Sequence, residues 1–202
     1  RPIVELLRSY LALTDGATGE DIRSRVADQL QFLGLEGDDQ AILRGRNADS
    51  KDFARSAEVT ASSEFDNADA DHVLNGYVRD LPGKTENLWA ARMTATGAWL
   101  ELTWKEPKAL SHVQITFDTG FQRPLTLTAQ DNFNERMVRG PQPETVRDYE
   151  LRYTDASGHQ HSLVKVEGNH QRLNRHTFSV VEAKAVRLHI TATNGADTAR
   201  VY

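Results

Sequence analysis

The sequence contains no cysteine among its 202 residues. This absence excludes a disulfide-stapled scaffold, a zinc site with thiolate ligands and a thiol nucleophile. The sequence also lacks a continuous apolar run of about 18 residues, so no transmembrane segment is predicted. Basic residues are not in excess either, because 24 Lys and Arg stand against 29 Asp and Glu, for a formal net charge of −5. Such a chain has no strong positive field with which to gather nucleic acid, and no nucleic-acid partner is predicted.

The motifs of several enzyme classes are missing as well. No Gly-x-Gly-x-x-Gly opens a helix, so no dinucleotide-binding fingerprint lies in this sequence. There is no phosphate-binding loop, no Gly-x-Ser-x-Gly and no His-Glu-x-x-His. The carboxylates are scattered, and their spacing nominates no acid–base pair. No catalytic residue is therefore predicted in this sequence.

Residues 1–46 are predicted to be helical. Apolar residues recur at helical spacing from Ile3 to Leu11 and again from Ile22 to Leu33. This pattern predicts a short two-helix segment, whose apolar stripes need another surface to pack on. Residues 47–55 are predicted to be a linker.

From Ser56 onward the apolar residues recur every second position, as they do in strands with one buried face. This pattern predicts a mainly β domain over residues 56–202, an antiparallel β-sandwich of at least seven short strands. Trp104 shares the apolar face of its strand and is predicted to lie in the core. The predicted strands centre on residues 57–62, 99–104, 112–118, 149–153, 163–166, 178–180 and 186–192.

The loop from Asn75 to Trp89 is a candidate calcium site. Its Asn75, Asp80 and Thr85 offer the oxygen ligands that calcium prefers. The alternative is a turn organised by hydrogen bonds from Asn and Asp side chains to the backbone. A second acidic stretch, residues 66–71, lacks the spacing of an EF-hand loop and is interpreted as a solvated turn.

The segment from Glu167 to His176 is a candidate ligand-binding hairpin. It places Asn169, His170 and Arg172 between two apolar strands, where they could hydrogen-bond a polyhydroxylated ligand. The alternative is a solvated hairpin turn. Trp89 falls in a predicted loop, where its ring could stack on a sugar or could plug the end of the sandwich.

The order of several weak motifs resembles the discoidin, or coagulation-factor type C, family of galactose-binding-like sandwiches. The resemblance spans residues 56–202 and implies a jelly-roll fold with a ligand site in loops at one end. Many members bind calcium, so the resemblance implies Ca²⁺ for the loop above. The matching motifs are Ala57-Glu58-Val59-Thr60-Ala61-Ser62-Ser63, His72-Val73-Leu74-Asn75-Gly76, Leu88-Trp89-Ala90-Ala91, Ala98-Trp99-Leu100-Glu101-Leu102 and Ala109-Leu110-Ser111-His112-Val113-Gln114-Ile115.

A narrower resemblance is to the C-terminal region of bacterial FAD-dependent oxidoreductases that carry a discoidin-like module. It implies that residues 1–46 are the tail of a preceding portion, and that FAD binds upstream and outside this sequence. It rests on Thr116-Phe117-Asp118-Thr119, Glu167-Gly168-Asn169-His170-Gln171-Arg172 with His176-Thr177-Phe178, and Ala192-Thr193-Asn194-Gly195-Ala196 with Ala199-Arg200-Val201-Tyr202.

The sequence leaves three hypotheses for the function of this protein. The first is a non-catalytic accessory module that binds carbohydrate or another polar ligand and brings an attached enzyme to its substrate. The second is a structural domain that packs on the flavoprotein portion and has no ligand of its own. The third is a hydrolase or lyase on a jelly-roll scaffold, which no motif supports. The first hypothesis is preferred, with a periplasmic or secreted location.

Overall fold

The structure is a computed structural model that describes residues 51–80, 87–120, 129 and 131–202, apart from the side chain of Phe133. The predicted helical segment 1–46 lies outside the described residues, and so do Thr85 and the first four residues of the predicted linker.

Strands dominate the described part of the chain, as the alternating pattern predicts. They are β1 (Glu58–Ala61), β2 (Trp89–Arg92), β3 (Ala98–Thr116), β4 (Val146–Thr154), β5 (Gln160–Val166), β6 (Leu173–Thr193) and β7 (Thr198–Val201). The described helices are short: the 3-10 helices Phe53–Ser56 and Ala70–Leu74 and the α-helix α1 (Asp131–Arg136). The mainly β class is therefore confirmed.

All described strand pairs are antiparallel. Five strands form one sheet in the order β1-β3-β6-β4-β5, and β2 pairs with β7 in a second, two-stranded sheet. Phe117, just after β3, makes an isolated bridge with Val201 of β7, which joins the second sheet to the end of β3.

The long strand β3 doubles back on itself. Its 19 residues would span about 60 Å if the strand were straight. However, Ala98 at its start pairs with Ile190, Ile190 pairs with Tyr149, and the Tyr149 ring lies 5.2 Å from that of Phe117, just past its end. The ladder changes register between Thr103 and Lys108, where the strand bends. The bend brings both termini of β3 to the same end of the sandwich.

Alternation along the strands separates the core from the outer face. Leu100, Leu188 and Leu151 occupy one cross-strand row of β3, β6 and β4, and all three side chains are buried. The neighbouring row carries charged side chains, and Glu101 accepts a 2.8 Å hydrogen bond from Arg187. Apolar burial on one face and solvated charge on the other explain why this sequence forms a sandwich.

The other end of the sandwich is closed around Trp104. Its side chain is only 4% exposed, which confirms the predicted core position. The indole Nε1 donates a 2.8 Å hydrogen bond to the carbonyl of Phe53 in the first 3-10 helix. Residues 53–55 of the predicted linker therefore belong to the packed structure.

One core hydrogen bond predicts a pH dependence of stability. The Tyr149 hydroxyl lies 2.8 Å from Nε2 of His176. Burial raises the pKa of Tyr149 to about 12, so the tyrosine stays protonated and donates to a neutral imidazole. Burial also lowers the pKa of His176. This contribution to stability is thus complete above the ordinary histidine pKa of about 6.5 and is lost as the pH falls through the lower folded-state pKa.

We expect the melting temperature of the protein to fall by a few degrees on acidification in that range. In the variant His176→Gln, which keeps an acceptor but does not titrate, this part of the fall should disappear. Thermal melts followed by circular dichroism at a series of pH values check this. A variant with an unchanged pH profile would exclude His176 as the titrating group.

Candidate ligand-binding site

The doubling back of β3 and β6 collects many loops at one end of the sandwich. We call this the loop end. There the backbone N–H of Asn194 donates to the Thr145 carbonyl, and that of Asn169 donates to the Arg147 carbonyl. The loop end consists of residues 62–69, 75–80, 117–120, 142–145, 167–172 and 194–197 together with Tyr202.

Asn169 organises the hairpin between β5 and β6. Its side chain is 8% exposed, and Nδ2 donates to the carbonyls of Val146 at 2.6 Å and Gln171 at 3.2 Å. Its Oδ1 accepts a 3.0 Å bond from the backbone N–H of Gln171. The amide of Asn169 is therefore buried in backbone hydrogen bonds that shape the hairpin.

Arg172 ends the same hairpin and ties it to other segments. Its Nη1 donates a 3.1 Å hydrogen bond to the Phe117 carbonyl, and its Nη2 donates to the Val78 carbonyl. The guanidinium carbon lies 4.9 Å from the centre of the Tyr202 ring. Burial lowers the pKa of Arg172, but an arginine remains charged at neutral pH. The guanidinium is therefore engaged by hydrogen bonds within the protein.

Tyr202 and Asp80 continue this arrangement. The Tyr202 hydroxyl donates to Asp80 Oδ2 at 3.4 Å, and the backbone N–H of Asn87 donates to Asp80 Oδ1 at 3.1 Å. Burial raises the pKa of Asp80 despite these two bonds, and burial also raises the pKa of Tyr202. Both side chains are thus held partly out of water, and the Tyr202 ring lies against the Arg172 guanidinium.

The loop that begins at Asn75 is organised as a turn. Asn75 Oδ1 accepts a 2.7 Å bond from the backbone N–H of Tyr77, and Asn75 Nδ2 donates to Asn87 Oδ1 at 3.2 Å. This is the Asx turn that the sequence left open as the alternative to a metal site.

The described residues of this loop do not fit a calcium ion. Calcium takes six to eight oxygen ligands. The Asn75 and Asp80 side-chain oxygens already accept hydrogen bonds, and the Val78 carbonyl faces Arg172. Thr85, the third predicted ligand, lies outside the described residues.

An ion pair between the buried Asp118 and the partly exposed Arg200 supports the base of the loop end. Asp118, 3% exposed, accepts a 3.1 Å bond from Arg200 Nη1 through Oδ2 and a 2.9 Å bond from the Gly120 N–H through Oδ1. The Asp118 carbonyl accepts a 3.0 Å bond from the Thr145 hydroxyl. These contacts join two loop-end segments, residues 117–120 and 142–145, to β7.

His170 differs from its neighbours because its side chain is exposed. It lies between the buried Asn169 and the engaged Arg172, at the tip of a hairpin whose turn requires Gly168 at φ 72°. Gln171 and Glu167 are exposed beside it. A neutral imidazole offers one donor and one acceptor, the combination that a sugar hydroxyl also carries.

Trp89 lies in the core. Its side chain is fully buried, and Nε1 donates a 3.0 Å bond to the Ser63 carbonyl. The predicted loop at this position is wrong, because Trp89 begins β2 and pairs with Val201. A ring with 0% exposure has no face for a sugar, so the plug interpretation replaces the stacking one.

The loop end does expose a different aromatic ring. Phe65 is 37% exposed, and its backbone N–H donates to the Ala90 carbonyl at 3.2 Å. The sequence analysis missed this residue, although an aromatic inside a polar turn was a usable signal.

The acidic stretch around Phe65 forms turns, as the sequence predicts. Asn67 has a left-handed backbone (φ 60°), and the N–H of Ala68 donates to the Phe65 carbonyl. Asp69, Asp71 and His72 place one ligand atom each within 4.8 Å of one another. His72 Nδ1 lies 3.2 Å from the Leu88 carbonyl.

Comparison with known proteins places this architecture in a class. Residues 52–135 match a family model described as a domain of unknown function (DUF7402). No curated protein matches the chain.

Three similar solved structures all belong to carbohydrate-binding proteins. The family 32 carbohydrate-binding module of C. perfringens NanJ, in complex with galactose, is 14% identical with a TM-score of 0.53, and covers 73% of this chain and 90% of its own. Chitosan-binding module 2 of the Paenibacillus sp. IK-5 chitosanase/glucanase, in complex with chitotriose, is 14% identical with a TM-score of 0.54, covering 74% and 95%. The lectin domain of Lectinolysin, complexed with Lewis B antigen, is 11% identical with a TM-score of 0.55, covering 75% and 92%.

The shared fold is the galactose-binding-like β-sandwich, the architecture of family 32 carbohydrate-binding modules and related lectin domains. At these identities the likeness establishes the fold alone. Over the part of the chain that the structure describes, none of the helices has the length and apolar character needed to cross a membrane.

Proposed function

We propose that this protein is a non-catalytic module that binds carbohydrate at its loop end. The observation that carries the proposal is the likeness of its sandwich to several carbohydrate-binding modules over nine tenths of their length. The sequence adds no catalytic motif, so binding without chemistry is the simplest activity for this architecture.

In this proposal, some loop-end residues contact the ligand and others hold the backbone in place. His170 and Gln171 are exposed on a hairpin that Asn169 and Arg172 hold in place. A rigid backbone with exposed donors and acceptors binds a polar ligand at low entropic cost. Phe65 supplies an exposed apolar ring at the same end, and such a ring can pack on the apolar face of a sugar.

A glycan array and affinity gels containing soluble polysaccharides test the proposal. We expect the full chain to bind at least one glycan class, and His170→Ala to weaken that binding about tenfold, as for the loss of one well-placed hydrogen bond. Phe65→Ala is expected to weaken it to a similar extent.

His159→Ala is the matched control. His159 is also an exposed histidine in a hairpin turn, but it lies after β4, whose opposite terminus reaches the loop end. This variant should bind like the unmodified protein. Equal losses in the His170 and His159 variants would argue against a site at the loop end. Absence of binding to every glycan would favour the alternative, a structural domain that packs on a larger protein.

Several finer features belong to the same proposal. The module is proposed to be the C-terminal part of a larger bacterial enzyme, and its narrower resemblance suggests an FAD-dependent oxidoreductase with the flavin bound upstream. A periplasmic or secreted location suits a glycan ligand. The sequence of the parent open reading frame upstream of Arg1 would test all three features directly.

A further inference from the structure

Arg172 holds a central place among the segments of the loop end. Its guanidinium binds the carbonyls of Val78 and Phe117, which belong to segments separated by about 40 residues of sequence. It also lies over the ring of Tyr202, the last described residue. Its own backbone carbonyl accepts a 2.8 Å bond from the Phe117 N–H. One side chain thus joins four separate stretches of the fold.

The surroundings of this guanidinium are those of a bound cation. Two backbone carbonyl oxygens and the face of an aromatic ring point at it. The negative charge of Asp118 adds attraction from one side, while burial opposes the charge. A metal ion in such a loop would likewise draw carbonyl and carboxylate oxygens together.

Two of the three predicted metal ligands, Asp80 and Asn75, are described, and both are hydrogen-bonded. Asp80 is held by the Tyr202 hydroxyl and the Asn87 N–H, and Asn75 Oδ1 is held by the Tyr77 N–H. Among the described residues, the groups that the resemblance assigns to calcium are therefore satisfied by the protein itself.

We propose that the Arg172 guanidinium is the built-in cation of the loop end, and that the sandwich keeps its fold and stability without calcium. A covalently attached charge is lost neither by dilution nor by chelation, so the hairpin that carries His170 stays in place at any calcium concentration. This inference concerns the fold and holds whether or not the module binds carbohydrate.

Melting temperatures of the full chain, measured after dialysis against chelator, test the proposal. We expect the unmodified protein to melt at the same temperature with excess EDTA and with excess CaCl₂, and to give no calcium-binding heat by calorimetry. Arg172→Met, which keeps an apolar stem but removes the charged guanidinium, should melt about 5–10 °C lower. Arg175→Met is the matched control, because Arg175 is exposed on the same hairpin and donates a 2.8 Å hydrogen bond from Nε to the exposed Gln114 side chain. It should melt within about 2 °C of the unmodified protein.

Calcium binding by the unmodified protein, or a clear rise of its melting temperature in CaCl₂, would overturn the proposal. Equal melting temperatures for the Arg172 and Arg175 variants would overturn it as well. If Arg172→Met does not fold, the strong dependence on Arg172 is supported, and the calcium titration of the unmodified protein remains the deciding measurement.

Discussion

Replacing Gly97 by alanine is expected to destabilise the protein by more than about 3 kcal/mol or to prevent its folding. Gly97 has φ 85°, a backbone conformation that residues with a Cβ rarely adopt. A Cβ at this position would also come closer than 3.0 Å to the carbonyl oxygen of Ile190. Ile190 is fully buried at the centre of the five-stranded sheet, where it pairs with Ala98 and Tyr149. The backbone of β6 therefore cannot move aside without breaking two ladders.

Gly158→Ala separates the steric clash from the backbone strain. Gly158 has nearly the same φ, 86°, but a Cβ there would meet no heavy atom within 4 Å. Its replacement should cost only the left-handed strain, about 1–2 kcal/mol. Urea unfolding followed by tryptophan fluorescence gives both free energies. Similar values for the two variants would show that the contact with Ile190 relaxes at little cost.

Replacing Trp89 by alanine is expected to cost about 4 kcal/mol of stability. The indole is fully buried in the core cluster that also contains Phe117 and Val201, and its removal leaves a large cavity. The Ser63 carbonyl also loses its 3.0 Å hydrogen bond. The same urea experiment measures this loss.

Trp99→Ala is the control for this second prediction. Trp99 is half-buried on the outer face, with the Arg187 guanidinium 4.3 Å from its ring centre, and its loss should cost about 1 kcal/mol. A Trp89→Ala variant that kept its stability but lost glycan binding would restore the stacking hypothesis. The structure instead predicts that Trp89→Ala loses stability.

The strand pattern of the sequence was a good guide to the fold where one face of a strand is buried. Residues 99–104 and 112–118 were predicted as separate strands, but residues 99–104 and 112–116 belong to one strand, β3, which ends at Thr116. The polar stretch between them, around Lys105 and Lys108, hid the continuity because a bend with a register shift breaks the alternation. The strand β2 was missed for a related reason. Its first three residues, 89–91, are all buried, so they show no alternation.

The candidate site was only partly predictable. The sequence drew attention to the hairpin at residues 167–172 because polar residues crowd between apolar strands. It could not distinguish His170, which is exposed, from Asn169 and Arg172, whose side chains donate hydrogen bonds to backbone carbonyls of distant segments. Donor and acceptor types are visible in a sequence, but the partners that satisfy them are not.

By itself, the sequence determined the mainly β class, the antiparallel sandwich, the core position of Trp104 and the lack of catalytic and dinucleotide-binding motifs. These properties follow from composition and short-range periodicity, which every local segment carries. Only the tertiary structure decided which polar groups face solvent at the loop end, because Val78, Phe117, Arg172 and Tyr202 meet across long stretches of chain. Their meeting depends on the bend of β3 and β6, which brings together segments that are far apart in the sequence.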